Sequence, residues 1–140
     1  MVDPRWNDIS YHTVAVNDEG LEGTAYIENG QEIKTSSPMN NHEGFNPEQL
    51  LGLSLSTCLK ATLQAIEKEK NLADTAKVHV EVGFLRRKVP WEFLVHARIA
   101  IPGVSLDEAN EMAKSAEKRC PVSQLLSGSK NYTVEVVNDF

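Results

Sequence analysis

The stretch FNPEQLLGLSLSTCLKATLQAIEKEKN, residues 45–71, decides how the rest of the chain must be arranged. Asn46 is a good helix N-cap, and Pro47 suits the first helical position because its missing N–H would have no partner there. Gln49 falls where a capping-box partner would sit. From Leu50 to Leu59 the residues are apolar or small on nearly every side, and a helix of that kind is buried all round. After Ala65 the charges begin, and Asn71 is the expected stop. Such a helix needs cover on both faces. In a chain of 140 residues the strands can cover one face and a second copy of the chain the other, which suggests a homodimer. A monomer that wraps the helix completely is the other option.

On the N-terminal side the sequence reads as strands. YHTVAVN (11–17) alternates, while GTAYIE (23–28) and QEIKTS (31–36) flank Asn29-Gly30, a dipeptide that predicts a type I′ turn with positive φ at both positions. A three-stranded antiparallel start is expected, followed by a loop over SSPMNNHEG (36–44). Beyond the long helix the period returns to two. AKVHVEVGFL (76–85) puts Val78, Val80, Val82 and Phe84 on one face, and EFLVHARIAI (92–101) does the same with Phe93, Val95, Ala97, Ile99 and Ile101. RRKVPW links them as a long hairpin. Ser105 and Glu108 have capping-box spacing, and Leu106, Ala109, Met112, Ala113 and Ala116 form the apolar stripe of a second helix. A short helix from Pro121 and a closing strand, NYTVEVV (131–137), complete the order βββαββααβ. The expectation is one α+β domain over residues 1–140: an antiparallel sheet around a long buried central helix, in an intertwined homodimer.

Composition narrows the function. With 41% apolar and 24% charged residues the chain is ordinary for a globular protein. A net charge of −6, no block of lysines and arginines, and few aromatics argue against nucleic-acid binding. MVDPRWNDIS has no apolar core of a secretory signal, and LLGLSLSTCL (50–59) is too short to span a bilayer, so a soluble cytoplasmic protein without a membrane partner is expected. Two cysteines in that compartment are more often thiols than a structural staple.

Those cysteines sit in different settings. In RCPVSQLL (119–126), Pro121 opens a helix and Cys120 is its N-cap, where free N–H groups and the helix dipole favour a thiolate. Cys58 lies mid-helix beside Leu55 and Leu59; taken singly it reads as core packing, and to react it needs a cation or hydrogen-bond donor nearby. There is no CxxC and no HxxxH, and His12, His42, His79 and His96 have no ligand spacing, so no metal site is expected. A Cys–His pair in space has no local support. No glycine-rich phosphate loop is present.

NPEQLLGLSLSTC (46–58) together with CPVSQLL (120–126) resembles the OsmC/Ohr family of osmotically induced and organic hydroperoxide resistance proteins, and the element order agrees over nearly the whole chain. The resemblance implies a thiol peroxidase that reduces organic hydroperoxides to alcohols. Cys58 would attack the O–O bond and become a sulfenic acid, and Cys120 would condense with it to a disulfide. An external dithiol, a lipoyl group in the best-known branch, would reopen that disulfide, with no metal, flavin or haem. The apolar setting of Cys58, with Leu51 and Leu55 as substrate-binding residues, suits fatty or aromatic hydroperoxides. The family's glutamate matches Glu48, yet a straight helix separates it from Cys58 by ~15 Å. Either the helix bends at Gly52 or Glu48 serves a two-fold-related subunit; an acid in the first turn also suits the helix dipole.

One part of the family pattern is missing. Family peroxidases carry an arginine in the early strands that holds the reactive thiolate, whereas this chain has none between Arg5 and Arg86, and the matching region, NDEGLEGTAYIENG (17–30), is acidic. Arg5, Lys34 or the Arg86-Arg87-Lys88 turn are the available substitutes. Two functions are therefore weighed: a peroxidase using Cys58 and Cys120, and a non-catalytic dimeric stress protein or redox sensor that binds a small hydrophobic ligand in its cleft.

Overall fold

The computed structural model describes residues 2–140 and has the expected α+β element order. Its strands form two three-stranded sheets, and its contacts fall into two compact units, one up to Asn46 and one from Pro47 to Phe140.

In the first unit a 3₁₀ turn at Pro4–Asp8 precedes β1 (Ala15–Val16), β2 (Gly23–Ile27) and β3 (Glu32–Thr35), paired antiparallel in that order. The alternation of residues 11–17 yields only two strand residues. The β2–β3 turn also departs from expectation. Asn29 takes a positive φ of 60° but Gly30 does not, and the Gly30 N–H donates to the Ile27 carbonyl at 2.8 Å. The turn therefore centres on Glu28–Asn29, one residue earlier than Asn29-Gly30 implies. Glu22 organises the following loop by accepting from the Ser37 N–H (3.0 Å) and the Asn40 side chain.

The second unit is built on α1 (Pro47–Glu69), which runs unbroken through Gly52. Its end follows from Asn71, at φ 57°: the Leu72 N–H returns to the Glu67 carbonyl (2.8 Å) and the Asn71 N–H to Lys68 (3.1 Å), the Schellman pattern that satisfies a helix's last carbonyls. β4 (Lys77–Leu85) and β5 (Glu92–Ala100) form the expected antiparallel hairpin. α2 (Leu106–Arg119) starts at Ser105, whose side chain accepts from the Glu108 N–H. α3 (Pro121–Leu126) leads to β6 (Tyr132–Val137). Contrary to an all-antiparallel expectation, β6 pairs parallel to β5. Parallel neighbours need a crossover, and α2–α3 supply it.

The core of this unit joins Leu55, Leu59, Leu63 and Ile66 of α1 to Val95, Ala97 and Ile99 of β5 and to Ala109, Met112, Ala113 and Ala116 of α2. Leu106 was expected in the α2 stripe but is 48% exposed at the helix's first position, before the stripe turns inward. Burial all round α1 is not what a single chain gives. Leu50 and Leu53 remain 38% and 51% exposed, and Ser54, Thr57 and Ala61 are exposed along the same face.

A carboxylate is also buried in this core. Glu67 is 1% exposed, and its Oε2 accepts from the backbone N–H groups of Thr75 (2.9 Å) and Ala76 (3.1 Å), which fixes the turn from α1 into β4. Its Oε1 has no hydrogen-bond partner among the described residues and lies 3.9 Å from Lys60 Nζ. Removing the carboxylate strands one buried and one half-buried N–H donor, each hydrogen bond to a charged group being worth ~1.5–3 kcal/mol. Glu67→Ala is therefore expected to lower the unfolding free energy by roughly 3–5 kcal/mol, and Glu67→Gln by less, in urea titrations. An unchanged midpoint for Glu67→Ala would contradict this assignment.

Candidate active site

Cys120 is the only residue between two helices. It ends α2, its N–H donating to the Ala116 carbonyl at 2.8 Å, and it caps α3, its Sγ accepting from the Ser123 N–H at 3.4 Å. Pro121 makes the corner possible, since it opens α3 without an N–H to satisfy. The corner packs against α1, and there the two sulfurs meet. The Cys120 thiol donates to Cys58 Sγ at 2.9 Å, well beyond the ~2.05 Å of a disulfide, so both are free thiols in contact.

The two thiols differ in access. Cys120 is fully buried, whereas Cys58 is half-buried. Burial, and then the neighbouring Cys58, push the Cys120 thiol up to about 11. This reverses the expectation that an N-cap position favours the thiolate at Cys120. The Ser123 N–H does act in that direction, but loss of water outweighs it. Cys120 is held as a protonated thiol, while the half-exposed sulfur is Cys58.

Two further residues belong to this site. Ser123, 1% exposed, places its hydroxyl 2.8 Å from the Tyr132 hydroxyl, which ties the first turn of α3 to the start of β6. The Tyr132 phenol is raised, chiefly by burial. Ser123 was open to inference as the third residue of a helix capped by Cys120, whose amide the cap engages. Tyr132 shares the alternating face of Val134 and Val136, and a phenol on an apolar face needs a polar partner.

The remaining candidates do not join the sulfur contact. Glu48 is half-buried in the first turn of the unbroken α1, ~15 Å from Cys58 along the axis, so this chain does not bring the pair together by bending at Gly52. Leu55 is fully buried in the core, and Leu51 packs against that core half-buried. Three basic side chains have partners of their own: Arg5 is bound to Asp3 at 2.6 Å, Arg86 lies 4.7 Å over the Trp91 ring, and Lys60 reaches Asp74 and Glu67. His12 packs edge-on against Trp6, His42 contacts Glu22, His79 stacks on Phe140, and His96 bonds Thr133 and Glu135. None of these contacts forms a Cys–His pair. Among the described residues no helix is long and apolar enough to cross a membrane.

Comparisons with known proteins agree with this architecture. The chain is 26% identical over 133 residues to an organic hydroperoxide resistance protein of Xanthomonas axonopodis pv. citri, covering 90% of this chain and 94% of that one. It is 26% identical over 117 residues to the peroxiredoxin OsmC of Escherichia coli, covering 75% and 79%. Among solved structures, a Lactobacillus casei protein named by inference as a redox protein superposes with a TM-score of 0.94 at 55% identity, over 99% of each chain. A family model described as OsmC-like protein matches residues 40–136, and with that match the chain belongs to the OsmC-like protein family.

Proposed function

We propose that this protein is a thiol peroxidase that reduces organic hydroperoxides to alcohols. The observation that carries the reading is the contact between a half-exposed thiol, Cys58, and a fully buried one, Cys120, at 2.9 Å. The names of its relatives, an organic hydroperoxide resistance protein and a peroxiredoxin, support the same chemistry.

The Cys58 thiolate attacks the outer oxygen of the hydroperoxide. The O–O bond breaks, an S–O bond forms, and the departing alkoxide takes up a proton to leave as the alcohol. Cys58 is then a sulfenic acid. Cys120 attacks its sulfur, the thiol proton and the hydroxyl depart as water, and a Cys58–Cys120 disulfide remains. Contact between the sulfurs in the reduced state means that the second step needs little rearrangement. An external dithiol, of lipoyl type, reopens the disulfide and is itself oxidised to one, a cycle suited to the reducing cytoplasm. The chemistry calls for no metal, flavin or haem. Leu51 and Leu55 give the site its apolar side, which suits fatty or aromatic hydroperoxides.

The second half of the proposal is a homodimer. Leu50, Leu53 and Ala61 leave an apolar stripe of α1 open, and a second copy of α1 would close it. In that arrangement Glu48, which its own helix keeps from Cys58, would serve the partner's thiol. The rival reading, a redox sensor or ligand-binding stress protein without turnover, draws on the engagement of Arg5 and Arg86 with other groups.

Cys58→Ser is expected to abolish consumption of cumene hydroperoxide with a dithiol reductant. Cys120→Ser is expected to consume one equivalent and stop, leaving a sulfenic acid that dimedone traps on Cys58. Continued turnover by Cys58→Ser would overturn the peroxidase assignment. For the assembly, sedimentation is expected to give twice the chain mass, and Leu53→Asp, at an exposed position that should spare the fold of the chain, is expected to give the monomer. A wild-type monomer at micromolar concentration would overturn the dimer.

A further inference from the structure

α3 has six residues, too few for a helix to hold itself together in water, so it must be anchored from outside. Val122 and Leu126 pack against the core, but apolar contact is non-directional and does not fix how the first turn is oriented. The directional anchor is Ser123. It is 1% exposed, its hydroxyl lies 2.8 Å from the Tyr132 hydroxyl, and its own N–H donates to Cys120 Sγ at 3.4 Å. Tyr132 in turn is fixed to the sheet. It stands opposite Val95 in the β5–β6 register, and the Val95 N–H donates to the Asn131 carbonyl at 2.8 Å. A run of directed contacts thus leads from β5 through Tyr132 and Ser123 to the sulfur that meets Cys58.

From this geometry we infer that the Ser123–Tyr132 hydroxyl pair is a positioning device for disulfide closure: it holds Cys120 Sγ against Cys58 and so sets the rate at which Cys120 attacks that sulfur. Both residues act through Cys120 and are positioning residues, not catalytic ones. The inference deepens the peroxidase reading and rests on it only for the use to which the disulfide is put.

Closure brings the sulfurs from 2.9 Å to the ~2.05 Å of a disulfide, whose dihedral preference is narrow. A free cysteine side chain samples all its staggered rotamers, and the Ser123 N–H on Sγ selects the one from which Cys120 meets Cys58. Holding reacting atoms in contact and aligned is what gives an intramolecular step its advantage. Without the clamp, the first turn of α3 shifts, Sγ spends time pointing away from Cys58, and closure slows. Tyr132 is half-buried and Ser123 fully buried, so removing either hydroxyl leaves the other short of a bond. The two hydroxyls therefore act as one unit. In the peroxide cycle, slow closure would leave a Cys58 sulfenic acid open to a second equivalent of peroxide.

The test uses no peroxide, which separates it from the peroxidase assignment. Reduced protein is mixed with equimolar dithiobis(nitrobenzoate). The half-exposed Cys58 sulfur attacks the reagent, whose S–S bond breaks as a mixed disulfide forms and one thionitrobenzoate leaves. Cys120 then gives its proton to solvent and attacks Cys58 Sγ. The Cys58–Cys120 bond forms and the second thionitrobenzoate leaves, so two thiols are oxidised and one reagent disulfide is reduced. The first release reads access to Cys58, and the second reads the placement of Cys120. Ser123→Ala and Tyr132→Phe are each expected to slow the second release about tenfold, with the first unchanged. The double variant is expected to be no slower than either single one, since both changes remove the same bond. A second release as fast in Tyr132→Phe as in wild type would overturn the inference. Equal changes in both releases, the mark of a merely loosened fold, would overturn it too. Tyr132→Phe keeps the ring and its packing, so it decides the matter alone should Ser123→Ala not fold.

Discussion

The contact between two sulfurs depends on one constraint: a chain direction that changes at a single residue. α2 closes on the Cys120 N–H and α3 opens on the Cys120 side chain, so the residue is pinned by backbone groups of both helices before any tertiary packing is counted. Ala113 and Ala116 of α2 are buried in one core with Leu55, Leu59, Leu63 and Ile66 of α1. In this sense the chemistry of the site is a packing property of α2 as much as a property of its cysteines.

The same packing gives the two thiols different access. Water reaches Cys58 and not Cys120. Exposure is what a nucleophile needs to meet a substrate, and burial is what a thiol needs to stay protonated at neutral pH. In the proposed cycle, over-oxidation of the exposed sulfur would be limited by proximity, since the second thiol is already in contact with it.

Much of this was legible in the residues, for identifiable reasons. α1 announces both its ends, Pro47 at the start and Asn71 at the stop, because caps are local chemistry. Cys120 as a cap followed from Pro121 alone. What failed was long-range or hidden by sign. Parallel pairing of β6 with β5 leaves no local pattern, since it depends on how the α2–α3 crossover returns the chain. The acidity expected at Cys120 counted the helix terminus but not the desolvation, which only the packed structure supplies. Glu67 reads as one charge in the solvated run EKEKN, yet it follows Leu63 at helical spacing onto the buried face. Leu106 failed the other way, an apolar residue at the right spacing but one position too early to be covered.

The open face of α1 gives the account its reach beyond one chain, and the sulfur pair gives its centre. The most direct measurement is a single turnover of the fully reduced wild-type protein with one equivalent of cumene hydroperoxide, quenched at intervals and weighed by mass spectrometry. The predicted result is one cumyl alcohol and one Cys58–Cys120 disulfide per chain, a loss of two hydrogens, formed far faster than free cysteine reacts. Thiols that remain reduced, or that oxidise no faster than free cysteine, would contradict it.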